Sequence, residues 1–332
     1  MTNRVHLERQ GLLDRLRDVS LRGWLELGFQ LALTGPLVLA VLAMSGVGHR
    51  SIDILAQFTV PAMVATAGAT VALFLLRFRG AAGFGLAGCG ALIIACYPQL
   101  APPFGRAEAG APILRLYSAN LFYLNNDTTA IRASIDAAAP DIIVLIELGQ
   151  ETTANIDRIL KGYPHRIASM RLDQTRGPSR SLIASRYPLV PLTDPQDGLH
   201  SVAAIADTPL GCVNIVGVHL TRPWPYQFQW GQISQTMALT DIRRGLTGPV
   251  IVAGDFNSVS SARIGRQVQQ EMGLLPAPGF PGTWPAALPS PLGITIDQVY
   301  RSPDLALVSR KLGRPNGSDH RPVITELTRA VR

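Results

Sequence analysis

The chain has 332 residues, 16% charged side chains, a mean hydropathy of +0.20 and a net charge of +7. This composition excludes a disordered chain, a coiled coil and a collagen-like fibre, and three cysteines exclude a disulfide framework. The charge divides into +3 over residues 1–110 and +4 over residues 111–332, too dilute to mark nucleic-acid binding by itself.

Residues 1–23 form an amphipathic segment. Val5, Leu12, Leu13, Leu16 and Val19 recur near helical spacing with arginines between them, the pattern of an interfacial helix or of an ordinary solvated one. Three windows then carry no Asp, Glu, Lys, Arg or His: residues 27–48, 54–76 and 80–105. Crossing a hydrocarbon core takes roughly 20 apolar residues as a helix, so residues 24–105 are expected to be a membrane anchor of three transmembrane helices. Core helices of a soluble protein rarely lack charge on every face three times running. Pro98, Pro102 and Pro103 are expected to end the third helix near Tyr97. Arg4, Arg9, Arg15, Arg17 and Arg22 precede the first window, only Arg50 lies in the first loop, and Arg77 and Arg79 lie in the second. By the positive-inside rule the N-terminus is cytoplasmic and the chain beyond about residue 105 extracytoplasmic, in an inner or plasma membrane. The apolar stretch begins too late and runs too long for a cleaved signal peptide.

Residues 106–112 read as a linker rich in small residues, and residues 113–332 as one domain. Strands are predicted at Ile113–Ser118, Ile142–Ile146, Ser181–Ala184, Val202–Ala206, Val213–Val218, Val250–Ala253, Ile294–Val299, Leu305–Val308 and Val323–Glu326. Helices are predicted near Thr128–Ala138, Thr152–Leu160 and Gln227–Arg244. Strands at short intervals with a few helices indicate an α/β fold, sheet packed on sheet with helices outside. Cys89 and Cys96 fall in the third span and Cys212 in a strand, so none suggests a metal site.

Several polar residues terminate these apolar runs: Asn120, Glu147, His219, Asp255 with Asn257, and Asp297, while Asp319 and His320 introduce the last strand. A carboxylate at the end of a buried strand is costly unless it is paired or binds metal. Six such strand ends are hard to explain as caps.

In order, Ser118-Ala-Asn120, Glu147, His219-Leu220, Gly254-Asp-Phe-Asn257, Ile296-Asp297 and Ser318-Asp-His-Arg-Pro322 resemble the motifs of the endonuclease/exonuclease/phosphatase (DNase I-like) superfamily. The resemblance covers about residues 113–327 and indicates a membrane-anchored, bacterial-type member. It implies a four-layer α/β/β/α sandwich and hydrolysis of a phosphodiester or phosphomonoester by in-line water attack. It also implies Glu147 as principal metal ligand, with Asn120 and Asp319 beside it, for Mg²⁺ or Mn²⁺. Asp255 would orient or deprotonate the water and Asn257 would hold a phosphate oxygen. His320 would stabilise the transition-state charge, with Asp297 fixing its tautomer, and His219 would make a second phosphoryl contact. Arg222 follows His219 closely and is a candidate phosphate contact, or equally a structural ion pair.

His165 and His200 match nothing in the pattern. Trp284 is a candidate cleft wall or a core residue, and nothing supports a catalytic role for Arg180 or Arg186. Repair nucleases of the superfamily often have a carboxylate where this chain has Phe122, and use basic loops where this chain has only Lys161 and Lys311. The substrate is therefore open between nucleic acid and a lipid headgroup such as that of a phospholipid or sphingomyelin. A catalytically silent binding or scaffold domain is the alternative of another class. The bilayer is the other expected partner; the sequence implies no protein partner.

Overall fold

In a computed structural model the described residues are 19–169, 180–192, 199–223 and 225–331. The amphipathic segment therefore lies almost wholly outside the described residues. The first described helix, Leu21–Met44, is capped by Ser20, whose Oγ accepts from the Gly23 N–H. A short helix Arg50–Asp53 and a 3₁₀ turn Ile54–Phe58 lead into the helix Thr59–Leu75, and a third long helix spans Arg79–Leu100. The stretches Leu21–Met44, Arg50–Leu75 and Arg79–Leu100 are long and apolar enough to cross a membrane, with 18-residue windows of mean hydropathy 1.9, 1.8 and 1.7. Many of their large apolar side chains, including Leu31, Leu75 and Ile94, face outward. Small residues let the helices approach closely: a Cβ on Gly85 would stand 2.1 Å from Thr70 Oγ1. Pro98 does not end the third helix, which continues to Leu100 with the proline in its last turn. A proline this close to a helix end deletes one backbone hydrogen bond and leaves the final turn intact.

The rest of the described residues form two six-stranded sheets and their covering helices. The first runs β11-β12-β1-β2-β4-β3, built from Leu305–Leu312, Val323–Arg329, Leu114–Asn120, Ile142–Ile146, Ser181–Ser185 and His165–Ala168. The second runs β5-β6-β7-β8-β10-β9, built from Leu189–Pro191, His200–Thr208, Gly211–His219, Val250–Asp255, Asp297–Arg301 and Leu275–Pro276. Among the described residues only β1–β2 and β7–β8 pair in parallel. Side chains alternate along the central strands. Ile142, Val144 and Ile146 pack with Ile215, Ile251 and Ala253 between the sheets. Ile143 and Leu145 point outward to Ile131 and Ile135 of the helix Thr128–Ala138. Val216, Val250 and Val252 pack outward against Leu239 of the helix Gln229–Gly245 and Ile264 and Val268 of the helix Arg263–Met272. Three apolar layers separate four structural ones, the α/β/β/α sandwich.

Some local expectations change. The helix expected near Thr152–Leu160 is two short helices, Gln150–Ala154 and Ile156–Ile159. The strand expected to start at Ile294 starts at Asp297, because Ile294 is committed to a separate bridge with Trp284. The helix Arg263–Met272 was not expected. Residues 106–112 run along the last strand: the Glu108 N–H donates to Arg329 O and the Val331 N–H to Arg106 O.

The apolar helices are joined to the sandwich by buried contacts. Asp53 accepts from Gln229 Nε2 and from the Arg263 N–H, at 2.9 and 3.0 Å. Gln99 accepts from Ser261 Oγ and donates to Gly279 O, and Ala56 packs on Val259 and Ala262. At the opposite end of the helices, Arg22 donates to Arg77 O and Glu26 accepts from the Gly80 N–H.

Candidate active site

The parallel register of β1 and β2 sets Asn120 beside Ile146, so Glu147 emerges one residue past the paired end. In the second sheet His219 lies opposite Asp255, and Asp255 opposite Asp297. Directly paired residues share a face, so three strands deliver an imidazole and two carboxylates in a row. Gly254 makes this approach possible, with φ of 141° and a would-be Cβ only 2.0 Å from Val218 O. Glu147 and Asn257 have left-handed φ values of 55° and 47°. Such positions cost on the order of 1–3 kcal/mol and persist where the surroundings over-determine them, commonly at functional sites.

The Asn120 amide links the two sheets. Asn120 Nδ2 donates to Glu147 Oε1 at 2.9 Å and to Asp255 Oδ2 at 3.1 Å, while its Oδ1 accepts from the Phe122 N–H. His219 Nε2 stands 3.3 Å from Glu147 Oε1 and 3.9 Å from Asp255 Oδ2. His320 Nδ1 is 2.9 Å from Asp297 Oδ2, and its Nε2 is 4.0 Å from both Asp255 Oδ2 and Asp319 Oδ1. The Asn257 N–H donates to Asp255 Oδ1 at 2.7 Å, and Asn257 Nδ2 donates to Leu220 O at 2.9 Å. Eight of the nine residues expected at the site are thus within one connected cluster. Arg222 is exposed, three residues beyond His219.

Burial dominates the electrostatics. Desolvation pushes the Asp255 carboxyl up, and the nearby Asp297 charge adds to this, against the pull of His320 and His219 and the Asn257 N–H; the balance lies at about 6. Burial alone would lower the His320 imidazole. The charge and hydrogen bond of Asp297, with Asp255 and Asp319 nearby, outweigh it and raise the group to about 10.

The donor set suits a hard divalent cation. Among the described residues, ligand atoms of Glu147, His219 and Asp255 lie within 4.8 Å of one another, as do those of Asp255, Asp297 and His320. Asp319 Oδ1 and Asp297 Oδ1 are buried without a hydrogen-bond partner. Carboxylates packed this closely with two histidines leave negative charge to be offset, and carboxylate oxygens with one imidazole suit a hard divalent cation.

Sequence reasoning missed the glutamines that brace this cluster. Gln57 Nε2 donates to Asn257 O at 3.0 Å, and Gln232 Nε2 to Phe256 O at 2.9 Å. Trp284 Nε1 donates to Asp319 Oδ2 at 3.2 Å, which gives the tryptophan a definite place at the cleft. A glutamine within an apolar window carries no local signal of such a contact. Arg186 pairs with Asp141 and lies over the Tyr163 ring. Arg180 is buried and donates to Thr153 Oγ1.

A sequence profile of the Endonuclease/Exonuclease/phosphatase family matches residues 117–320. A comparison with curated proteins finds no match. Among solved structures, an endonuclease/exonuclease/phosphatase from Beutenbergia cavernae is 20% identical, with a TM-score of 0.51 over 66% of this chain and 72% of that one. One from Bacteroides vulgatus is 17% identical, with a TM-score of 0.54 over 66% of this chain and 99% of that one. The endonuclease domain of TRAS1, a telomere-specific non-LTR retrotransposon, is 16% identical, with a TM-score of 0.51 over 66% and 100%. At these identities the likeness is one of fold. With the family profile spanning more than half of the chain and the whole cluster, the chain belongs to the endonuclease/exonuclease/phosphatase family, whose members are generally hydrolases of phosphoester bonds.

Proposed function

We propose that the protein is a membrane-anchored, divalent-metal-dependent phosphoesterase that hydrolyses its substrate by in-line attack of water. The observation that carries this reading is the meeting of Asn120–Glu147 with the His219–Asp255–Asp297 row through the Asn120 amide. Glu147 and Asp319 would hold Mg²⁺ or Mn²⁺, with His219 and Asp255 close by, and Asn120, whose amide N–H₂ faces Glu147 and Asp255, would orient the carboxylates. A bound cation would supply charge neutralisation at the phosphate.

Asp255 is the residue to orient the water and take its proton. Burial raises its basicity toward neutral pH, where a general base is most effective. The His320 imidazolium, held in orientation by Asp297, faces the charge that builds on the phosphoryl oxygens. Asn257 offers its amide to a phosphate oxygen by giving up its 3.3 Å contact with Asp255. His219 would touch the phosphoryl group, and the exposed Arg222 would reach the rest of the substrate. A silent scaffold domain would have no need to keep every acid–base position filled.

The three long helices are read as spans, with the N-terminus cytoplasmic and residues 113–332 outside. Arg22 and Arg77 meet at one end of the helices while the sandwich docks at the other, which agrees with the positive-inside rule.

The test is hydrolysis by the full chain in nanodiscs, with Mg²⁺, Mn²⁺ or EDTA. Substrates are bis-p-nitrophenyl phosphate, plasmid DNA, single-stranded DNA and phospholipids, with Asp255→Ala as control. Metal-dependent turnover lost in Asp255→Ala is expected. No turnover of any substrate would favour the binding-domain reading.

A further inference from the structure

The segment after His219 leaves the active site and turns into a run of exposed aromatic residues. Tyr226, Phe228 and Trp230 are 69%, 80% and 68% exposed. Large aromatics do not stand in water without reason, and a cluster of them marks an interaction surface. They border an open cleft of about 890 Å³ whose other wall includes Arg50.

The position of that cleft identifies its occupant. Arg50 begins the short segment between the first two apolar helices, six residues after the first ends at Met44. Gln229, between Phe228 and Trp230, donates to Asp53 of the same segment. The aromatic run is therefore fixed at the level where the helices end, the headgroup layer of a bilayer. Trp and Tyr concentrate at that depth, and arginine there meets lipid phosphates.

The reactive cluster belongs to the same layer. Thr221, two residues from His219, lines the cleft, and its N–H donates to Gln235 of the helix that carries Trp230. Gln57, two residues before the helix Thr59–Leu75, holds the Asn257 carbonyl.

We infer that Tyr226, Phe228 and Trp230 form a bilayer-docking rim beside the active site, and that the substrate is a phosphate ester carried by a membrane lipid. This rests on the phosphoesterase reading and adds to it the substrate's class and its side of approach. The aromatics touch the bilayer and leave the reacting phosphate to the cluster.

Two measurements on the full chain in nanodiscs of phosphatidylcholine and phosphatidylglycerol test the inference. The first is tryptophan emission with brominated acyl chains, compared with Trp230→Phe. A quenched component that vanishes in Trp230→Phe is expected, and identical quenching in the two proteins would overturn the docking. The second is the triple variant Tyr226→Ser, Phe228→Ser, Trp230→Ser, whose side chains are too exposed to be needed for folding. Its turnover of the phospholipid should fall by at least about tenfold, equivalent to about 1.4 kcal/mol, with turnover of bis-p-nitrophenyl phosphate unchanged. An equal fall on both substrates, an unchanged lipid rate, or hydrolysis of plasmid DNA with lipid untouched would overturn the lipid assignment and leave the phosphoesterase reading standing. Absence of turnover even of bis-p-nitrophenyl phosphate would sink the phosphoesterase reading, and the lipid assignment with it; the quenching result would still decide the docking.

Discussion

The two sheets contribute to the active site in different ways. The first delivers two residues at the ends of a parallel pair, Asn120 and Glu147, and the second of these leaves its strand in a left-handed conformation. The second delivers His219, Asp255 and Asp297 in register, on strands whose backbone geometry is ordinary up to Gly254. One sheet holds a strained carboxylate and an amide, a set suited to a cation. The other holds an imidazole and two carboxylates in a row, a set suited to moving and holding protons. On the proposed function, metal binding and proton transfer should be separable by mutation to the degree that the Asn120 amide and the His219–Glu147 contact, which link the two sets, allow.

The largest effect should come from the second sheet. Asp255→Ala should lower kcat by about 10²–10⁴-fold with a thermal unfolding curve close to that of the parent. Near-parental turnover would remove Asp255 from the mechanism. From the first sheet, Asn120→Ala should weaken metal activation by about 10–100-fold, as for groups that orient a ligand, read as a shift of the Mn²⁺ activation midpoint with kcat at saturation less affected. A loss of kcat with no shift in the midpoint would place Asn120 on the proton-transfer side.

A smaller effect separates Asp297 from Asp255. Folded His320 is raised to about 10, above the usual range near 6.5. The stabilisation carried by its imidazolium is thus fully present below about pH 6.5 and is lost as pH rises through about 10. Turnover that depends on the imidazolium should fall over the same alkaline range. Asp297→Asn removes the charge that raises the group, so the alkaline limb should move to lower pH by a unit or more. An unmoved limb would show that His320 is not the titrating group.

The smallest effect tests the bracing from the apolar helices. Gln57→Leu removes one of two donors to Asn257 O, since Gln232 Nε2 also reaches it at 3.2 Å. The cost should be about 0.5–1.5 kcal/mol of stability and a fall in kcat of less than about tenfold, with Gln57→Glu not restoring it because a carboxylate cannot donate.

Much of the sandwich was legible because its cues are local. The runs Ile142–Ile146 and Thr128–Ala138 have the ends the sequence predicted, since a continuous apolar run and an Asp127-capped amphipathic stretch each specify their own limits. Ile294–Ile296 failed for a non-local reason: their β-branched residues suit a strand, but the partner across from Ile294 is Trp284. Among site residues, those at the ends of apolar runs were found from their position. Gln57 and Gln232 were not, because each acts through a residue distant in sequence; Trp284 was singled out as a cleft wall or a core residue, but its bond to Asp319 was not.

The sequence by itself determined which residues titrate, where apolar runs stop, and that three stretches are long and free enough of charge to cross a membrane. These properties are set by side-chain chemistry and by periods of a few residues. Only the tertiary structure decided that one amide spans two carboxylates from opposite sheets, that Asp297 raises His320, and that the loop between the first two apolar helices braces Asn257. Each of these depends on a pairing register or a packing contact between segments up to 200 residues apart, and no local pattern encodes such a distance.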